Sequence, residues 1–125
     1  MKANELMIGD WVLDKAVSDK PVQVLQINDK YVHYKHGTDY MSAGVELLEP
    51  IPLTPEILEK NGFHKEWDED IILMVCDTII VEIGDRYKLY KDGKMYLRRV
   101  LSPLYYVHQL QHALRLCGID KTIEL

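Results

Sequence analysis

Glu49-Pro50-Ile51-Pro52-Leu53-Thr54-Pro55-Glu56 is the stretch where the chain changes rhythm. Pro50 and Pro52 bar a helix and favour extended backbone on either side. Thr54 then offers a side-chain oxygen to cap a helix, Pro55 suits the first helical position, and Glu56 meets the positive end of the helix dipole. Asn61-Gly62 closes this short helix, because Gly takes the left-handed conformation at its end. A boundary is therefore expected near 49–54, giving modules over 1–49 and 50–125.

Toward the N-terminus the pattern is of short strands. Asn4–Ile8 reads as a helical turn ended by Gly9, and Asp10–Leu13 as a strand. Val22–Ile27 and Tyr31–Lys35 are rich in strand formers, with turns at Ser18–Pro21, Asn28-Asp29 and His36–Asp39. Val45–Leu48 is expected as a further short strand. Turn signals at this spacing predict a small barrel or a strongly bent sheet.

Toward the C-terminus the pattern is of a meander followed by a helix. Thr78–Ile83, Arg86–Lys91 and Met95–Val100 are expected strands. Gly84-Asp85 and Asp92-Gly93 read as two-residue hairpin turns. The second turn would pair Lys91 with Lys94 and Tyr90 with Met95. Ser102-Pro103 repeats the Thr54-Pro55 opening, so a helix is expected from there to Gly118. Its apolar stripe holds Tyr106, Val107, Leu110, Ala113, Leu114 and Cys117, and the opposite polar arc holds His108 and His112.

Composition bounds the rest. The chain has 125 residues, 47% apolar and 28% charged, enough to bury a core and too apolar to be disordered. No apolar run is long enough to span a bilayer, and Glu5 and Asp10 interrupt any resemblance to a signal peptide. The net charge of −5 opposes non-specific attraction to nucleic acid or anionic membrane. Cys76 and Cys117 cannot make a disulfide framework and read as small buried hydrophobes, which fits a reducing, cytoplasmic location.

Two constellations are candidates for chemistry. His108-Gln109-Leu110-Gln111-His112 sets two imidazoles one helical turn apart, a spacing that can hold a metal ion. A zinc hydrolase would need a carboxylate at Gln109 to act as general base, and an amide cannot take a proton. Arg115 adds a positive charge close by. Surface histidines without metal are the expectation, with a metal-dependent hydrolase on His108 and His112 as the weak alternative. The second constellation is the hairpin around Asp92-Gly93. One of its faces interleaves Arg86, Lys88, Tyr90 and Arg99, the mixture of charge and aromatic rings that stacks bases and neutralises phosphates. The competing reading is ordinary sheet chemistry, with long basic stems lying over tyrosines. The acidic residues of 66–70 lack the spacing of a calcium loop and read as a solvated loop.

Three blocks, Ile8-Gly9-Asp10-Trp11-Val12, Ile51–Phe63 and Tyr106–Leu114, together resemble a family of short uncharacterised proteins of gut bacteria and their prophages. The resemblance implies a bacterial or phage-derived intracellular origin and brings no catalytic or binding residue with it. Gly9-Asp10-Trp11-Val12 also resembles the first strand of SH3-like small barrels, which bind peptides or nucleic acid. The expected fold is α+β, with an SH3-like barrel module packed on a helix–antiparallel meander–helix module. The expected function is that of a non-enzymatic binding or adaptor protein, with no cofactor and with a protein partner favoured. A nucleic-acid-binding module using Arg86, Lys88, Tyr90 and Arg99 is the alternative.

Overall fold

The computed structural model describes residues 1–77, 79–84, 87–92, 97–99 and 104–125, of which 68, 91, 92 and 97–99 are described by their backbone alone. The chain is mixed α and β, and its described residues form two five-stranded antiparallel sheets. It forms two compact units, Met1–Pro52 with Tyr106–His108, and Leu53–Tyr105 with Gln109–Leu125. No described helix is long and apolar enough to cross a membrane.

The first unit contains β1 (Trp11–Leu13), β2 (Pro21–Ile27), β3 (Tyr31–His36), β4 (Asp39–Gly44) and β5 (Glu49–Pro50), in the order β4-β3-β2-β1-β5. The strands alternate as half-buried strands must. Val12, Val22, Val24, Val32, Tyr34 and Ala43 turn inward and form one core with Leu6, Val45 and Leu48. A bulge between Val24 and Gln26 resets the alternation of β2, so that Ile27 packs against the core rather than lying opposite Val24. The sheet is open: β4 and β5 are its two ends and do not pair with each other. Val45–Leu47 is a 3-10 turn rather than the expected strand, and the strand lies just before it, over residues read in part as a turn. A two-residue turn at Gly37-Thr38 is enough to reverse the chain, which frees Asp39–Gly44 to pair with β3.

The entry into this sheet is set by Gly9. It adopts φ +95, closing a turn in which the Asp10 N–H donates to the Met7 carbonyl at 3.1 Å. The Asp10 carboxylate accepts the Met7 N–H at 2.8 Å. The Ile8-Gly9-Asp10-Trp11 block is thus turn chemistry, with positive φ supplied by Gly and the turn closed by Asp.

The second unit opens with α1 (Pro55–Lys60), capped by Thr54, whose hydroxyl accepts the Ile57 N–H at 3.3 Å. The meander follows as β6 (His64–Asp68), β7 (Ile71–Cys76), β8 (Ile79–Ile83), β9 (Lys88–Asp92) and β10 (Leu97–Arg99), each paired with the next. Met74, Cys76, Ile79, Val81 and Leu89 are buried along one face. The acidic stretch is not simply a solvated loop: His64–Asp68 pairs residue for residue with β7, and only Glu69-Asp70 turn, Glu69 at φ +55. Asp92 is a paired strand residue opposite Leu97, so it is not a central residue of a two-residue turn. The expected partners Lys94 and Met95 lie outside the described residues.

The closing helix, α2 (Val107–Leu116), starts later than Ser102-Pro103, two residues that lie outside those described. The reason is that the backbone ahead of it is already engaged. Leu104 bridges Tyr87 and Tyr106 bridges Pro52, while the Val107 N–H donates to the Ile51 carbonyl at 2.8 Å. Gln109 reaches back to accept the Tyr105 N–H at 2.7 Å. At the far end Gly118, at φ +70, donates to the Arg115 carbonyl and Ile119 to that of Leu114. This Schellman motif also ends α1, where Gly62 donates to Glu59 and Phe63 to Leu58.

Candidate binding surfaces

The open sheet of the first unit presents two very different faces. Register puts Trp11 opposite Gln23, Lys35 opposite Tyr40, His33 opposite Ser42 and Tyr31 opposite Gly44, all on the face away from the core. Leu25 joins them at the bulge of β2. Tyr40 is 78% exposed, Tyr31 53% and Leu25 45%, so three large apolar side chains stand in solvent on one side of one sheet. The Lys35 ammonium lies 5.9 Å from the centre of the Tyr40 ring.

What stiffens this platform lies beneath it. The Tyr34 hydroxyl donates to the Asp14 carboxylate at 2.6 Å, and both residues are buried. The Asp14 carbonyl in turn accepts the N–H groups of Val17 and Ser18. One buried bond therefore ties the loop after β1 to the middle of β3. Burial, with the hydrogen bond and charge of Asp14, pushes the Tyr34 hydroxyl up to about 12. At the surface, Lys15 pairs with Glu49 at 2.9 Å, and that bond holds the Lys15 ammonium above its ordinary range.

Arg86 lies outside the described residues. Lys88 and Tyr90 are half-buried on the face of the second sheet away from its core, and Arg99 is in register with Tyr90, on the same face. The Lys88 ammonium lies 3.7 Å from the Glu82 carboxylate of the adjacent strand, which neutralises part of the basic character expected there. Leu73, Val75 and Ile80 share that face, half-buried.

His108 is not on a solvated face. It is 5% exposed, with its ring stacked on Tyr106 at 5.9 Å and 8° between planes. Gln111 is also buried and His112 half-buried, so α2 is covered well beyond its apolar stripe. The helical wheel ranks positions by the hydrophobicity of their side chains, and burial of polar positions such as His108 and Gln111 is not part of that ranking. Among the described residues no group of three or more His, Cys, Asp or Glu is placed to hold a metal ion. Cys76 is buried as expected, whereas Cys117 is only half-buried.

Trp11, Leu25, Tyr31 and Tyr40 are not recognisable as a group from the sequence. Alternation within β3 shows Tyr31 and Lys35 on one side, but collecting side chains from four strands requires the register, which local sequence does not carry.

No family model, curated protein or solved structure matches this chain.

Proposed function

We propose that this chain is a non-enzymatic binding or adaptor protein, and that its first unit holds a protein partner on the outer face of β1–β4. The observation that carries this reading is the collection of Trp11, Leu25, Tyr31 and Tyr40 on one open sheet face, three of them strongly exposed. Aromatic side chains bordered by a few polar groups are the composition of protein interfaces, where charged residues are depleted at the centre. Lys35 is the one formally charged residue at the described outward positions of β3 and β4. We also read the unit as an SH3-like small barrel left open. The return of β5 to β1 after a 3-10 turn supports that reading. The resemblance to prophage proteins supports a phage or mobile-element context.

Affinity capture from the cell that makes the chain, followed by reconstitution with the purified partner, tests this. A Leu25→Lys/Tyr40→Lys variant should melt like the parent and bind about 10-fold more weakly or worse. Undiminished binding by that variant refutes the reading. So does a captured component that proves to be nucleic acid, which would select the basic aromatic hairpin of Arg86, Lys88, Tyr90 and Arg99 instead.

A further inference from the structure

β4 is an end strand with six residues, and among the described residues no strand pairs with its outer side. End strands are ordinarily protected by proline, a bulge, charged side chains along the strand, or a covering loop. Asp39–Gly44 has no proline and no lysine, and its pairing with β3 runs without a bulge from His36↔Asp39 to Tyr31↔Gly44. The two-residue turn at Gly37-Thr38 fixes which backbone groups are spent. In such a hairpin the pair next to the turn exchanges both hydrogen bonds, and every second pair after it does the same. Asp39, Met41 and Ala43 therefore bond inward to β3, and the series continues with the Val45 N–H donating to the Lys30 carbonyl at 2.9 Å. Tyr40, Ser42 and Gly44 turn their N–H and C=O groups to the open side.

Charge on this edge is confined to its two ends. Asp39 stands at the start of β4. Past its end, the Glu46 carboxylate folds back over Gly44, so close that a Cβ there would lie 2.9 Å from Oε1. Between the two acids lie Tyr40, Met41, Ser42 and Ala43, all uncharged.

We infer that the edge of β4 binds an extended segment of a partner protein by strand addition, with an uncharged stretch against Tyr40–Ala43 and a basic residue at each end, facing Glu46 and Asp39. The inference rests on the protein-binding reading above and names the form of the bound segment. Main-chain hydrogen bonds would supply the affinity, and the flanking charges the register. A second copy of this chain fits less well. The antiparallel self-pairing that uses every outward group sets Tyr40 against Gly44 and Ser42 against Ser42. It brings Asp39 of each copy beside Glu46 of the other, acid against acid.

The probe is the peptide acetyl-Lys-Val-Thr-Val-Thr-Lys-amide, titrated into the isotopically labelled full chain at low salt, with the same peptide flanked by Glu as the control. The expected result is amide shifts at Tyr40, Ser42 and Gly44 and an affinity about 10-fold higher for the Lys peptide. Asp39→Lys/Glu46→Lys should reverse the preference. Ser42→Pro should abolish binding, since it removes an outward N–H that an end strand can spare; should it fail to fold, the charge reversal alone decides. No shifts at millimolar peptide, shifts elsewhere, or equal affinity for the two peptides overturns the inference. So does concentration-dependent self-association that moves the same three amides. If the peptide fails while the Leu25→Lys/Tyr40→Lys variant still loses its partner, the edge is wrong and the binding face stands. If both fail, the protein-binding reading falls as well.

Discussion

The side-chain amide of Asn61 brackets the backbone of Glu124. Its Nδ2 donates to the Glu124 carbonyl at 2.8 Å while its Oδ1 accepts the Glu124 N–H at 2.6 Å, so one side chain pairs with the peptide as a neighbouring strand would. The same Nδ2 donates to the Ile57 carbonyl at 2.8 Å, in the middle of α1. Beside this clamp Ile123 is fully buried. The C-terminal segment is therefore fastened to the turn that follows α1.

Asn61→Ala should cost about 1–3 kcal/mol, because it removes three hydrogen bonds from a buried position. Asn61→Asp is the sharper variant. It keeps the acceptor for the Glu124 N–H but sets a second oxygen against two carbonyls, so it should be at least as damaging as alanine. Urea titrations of both variants give the comparison, and an aspartate variant as stable as the parent would remove the clamp.

Tyr34 and Asp14 make the first unit sensitive to alkali. The folded state raises the hydroxyl from its ordinary value near 10 to about 12, so it favours the protonated form. The stabilisation is complete below pH 10, falls as pH rises through the interval to about 12, and is worth at most roughly 3 kcal/mol. Tyr34→Phe should cost about 1–3 kcal/mol at neutral pH by stranding the buried Asp14 carboxylate. It should also flatten the decline of stability between pH 10 and 12. A parent and variant whose stabilities fall in parallel over that interval would exclude the pair as the cause.

Along α2, the buried state of His108 reverses the expectation drawn from the helical wheel. Leu110→Ala should cost about 2–5 kcal/mol, as a fully buried leucine does. His108→Ala should cost about 1–3 kcal/mol, because it removes a buried ring stacked on Tyr106. Leu116, 73% exposed, should tolerate Glu within about 0.5 kcal/mol. Denaturant midpoints decide the order, and a His108 variant indistinguishable from the Leu116 variant would return this histidine to the solvated face.

Local chemistry was the legible part of this fold. The Thr54 cap and the glycine-closed ends of both helices depend on residues within a few positions of one another, and the structure has them where the sequence puts them. Features that depend on distant partners were not legible. The acidic stretch 66–70 looks like a solvated loop until Ile71–Cys76 stands beside His64–Asp68 to supply the pairing. Ser102-Pro103 looks like a helix start until Leu104 and Tyr106 are seen bridging Tyr87 and Pro52. Asp92-Gly93 looks like a two-residue turn for the same reason, until Leu97 pairs with Asp92 and claims it for the strand. Yet the observed register keeps the parity of the expected one, so Tyr90 and Arg99 share a face in both. The binding face of the first unit was hidden most deeply, because its members come from four strands and meet only through register.

That face makes a prediction about stability as well as binding. Val24 and Leu25 are adjacent in β2, yet Val24 is fully buried and Leu25 is 45% exposed. Side chains retained for a partner rather than for the core should be nearly free of folding cost when truncated. Leu25→Ser should change stability by about 0.5 kcal/mol or less. Tyr40→Ser should cost no more than about 1 kcal/mol, since it also gives up the exposed contact with Lys35. Val24→Ala removes a buried side chain from the centre of the core and should cost more than either, about 2 kcal/mol. Chemical denaturation of the three variants settles the ranking. If Leu25→Ser or Tyr40→Ser proves as costly as Val24→Ala, those side chains serve the fold, and the outer face of β1–β4 loses its claim to be kept for a partner.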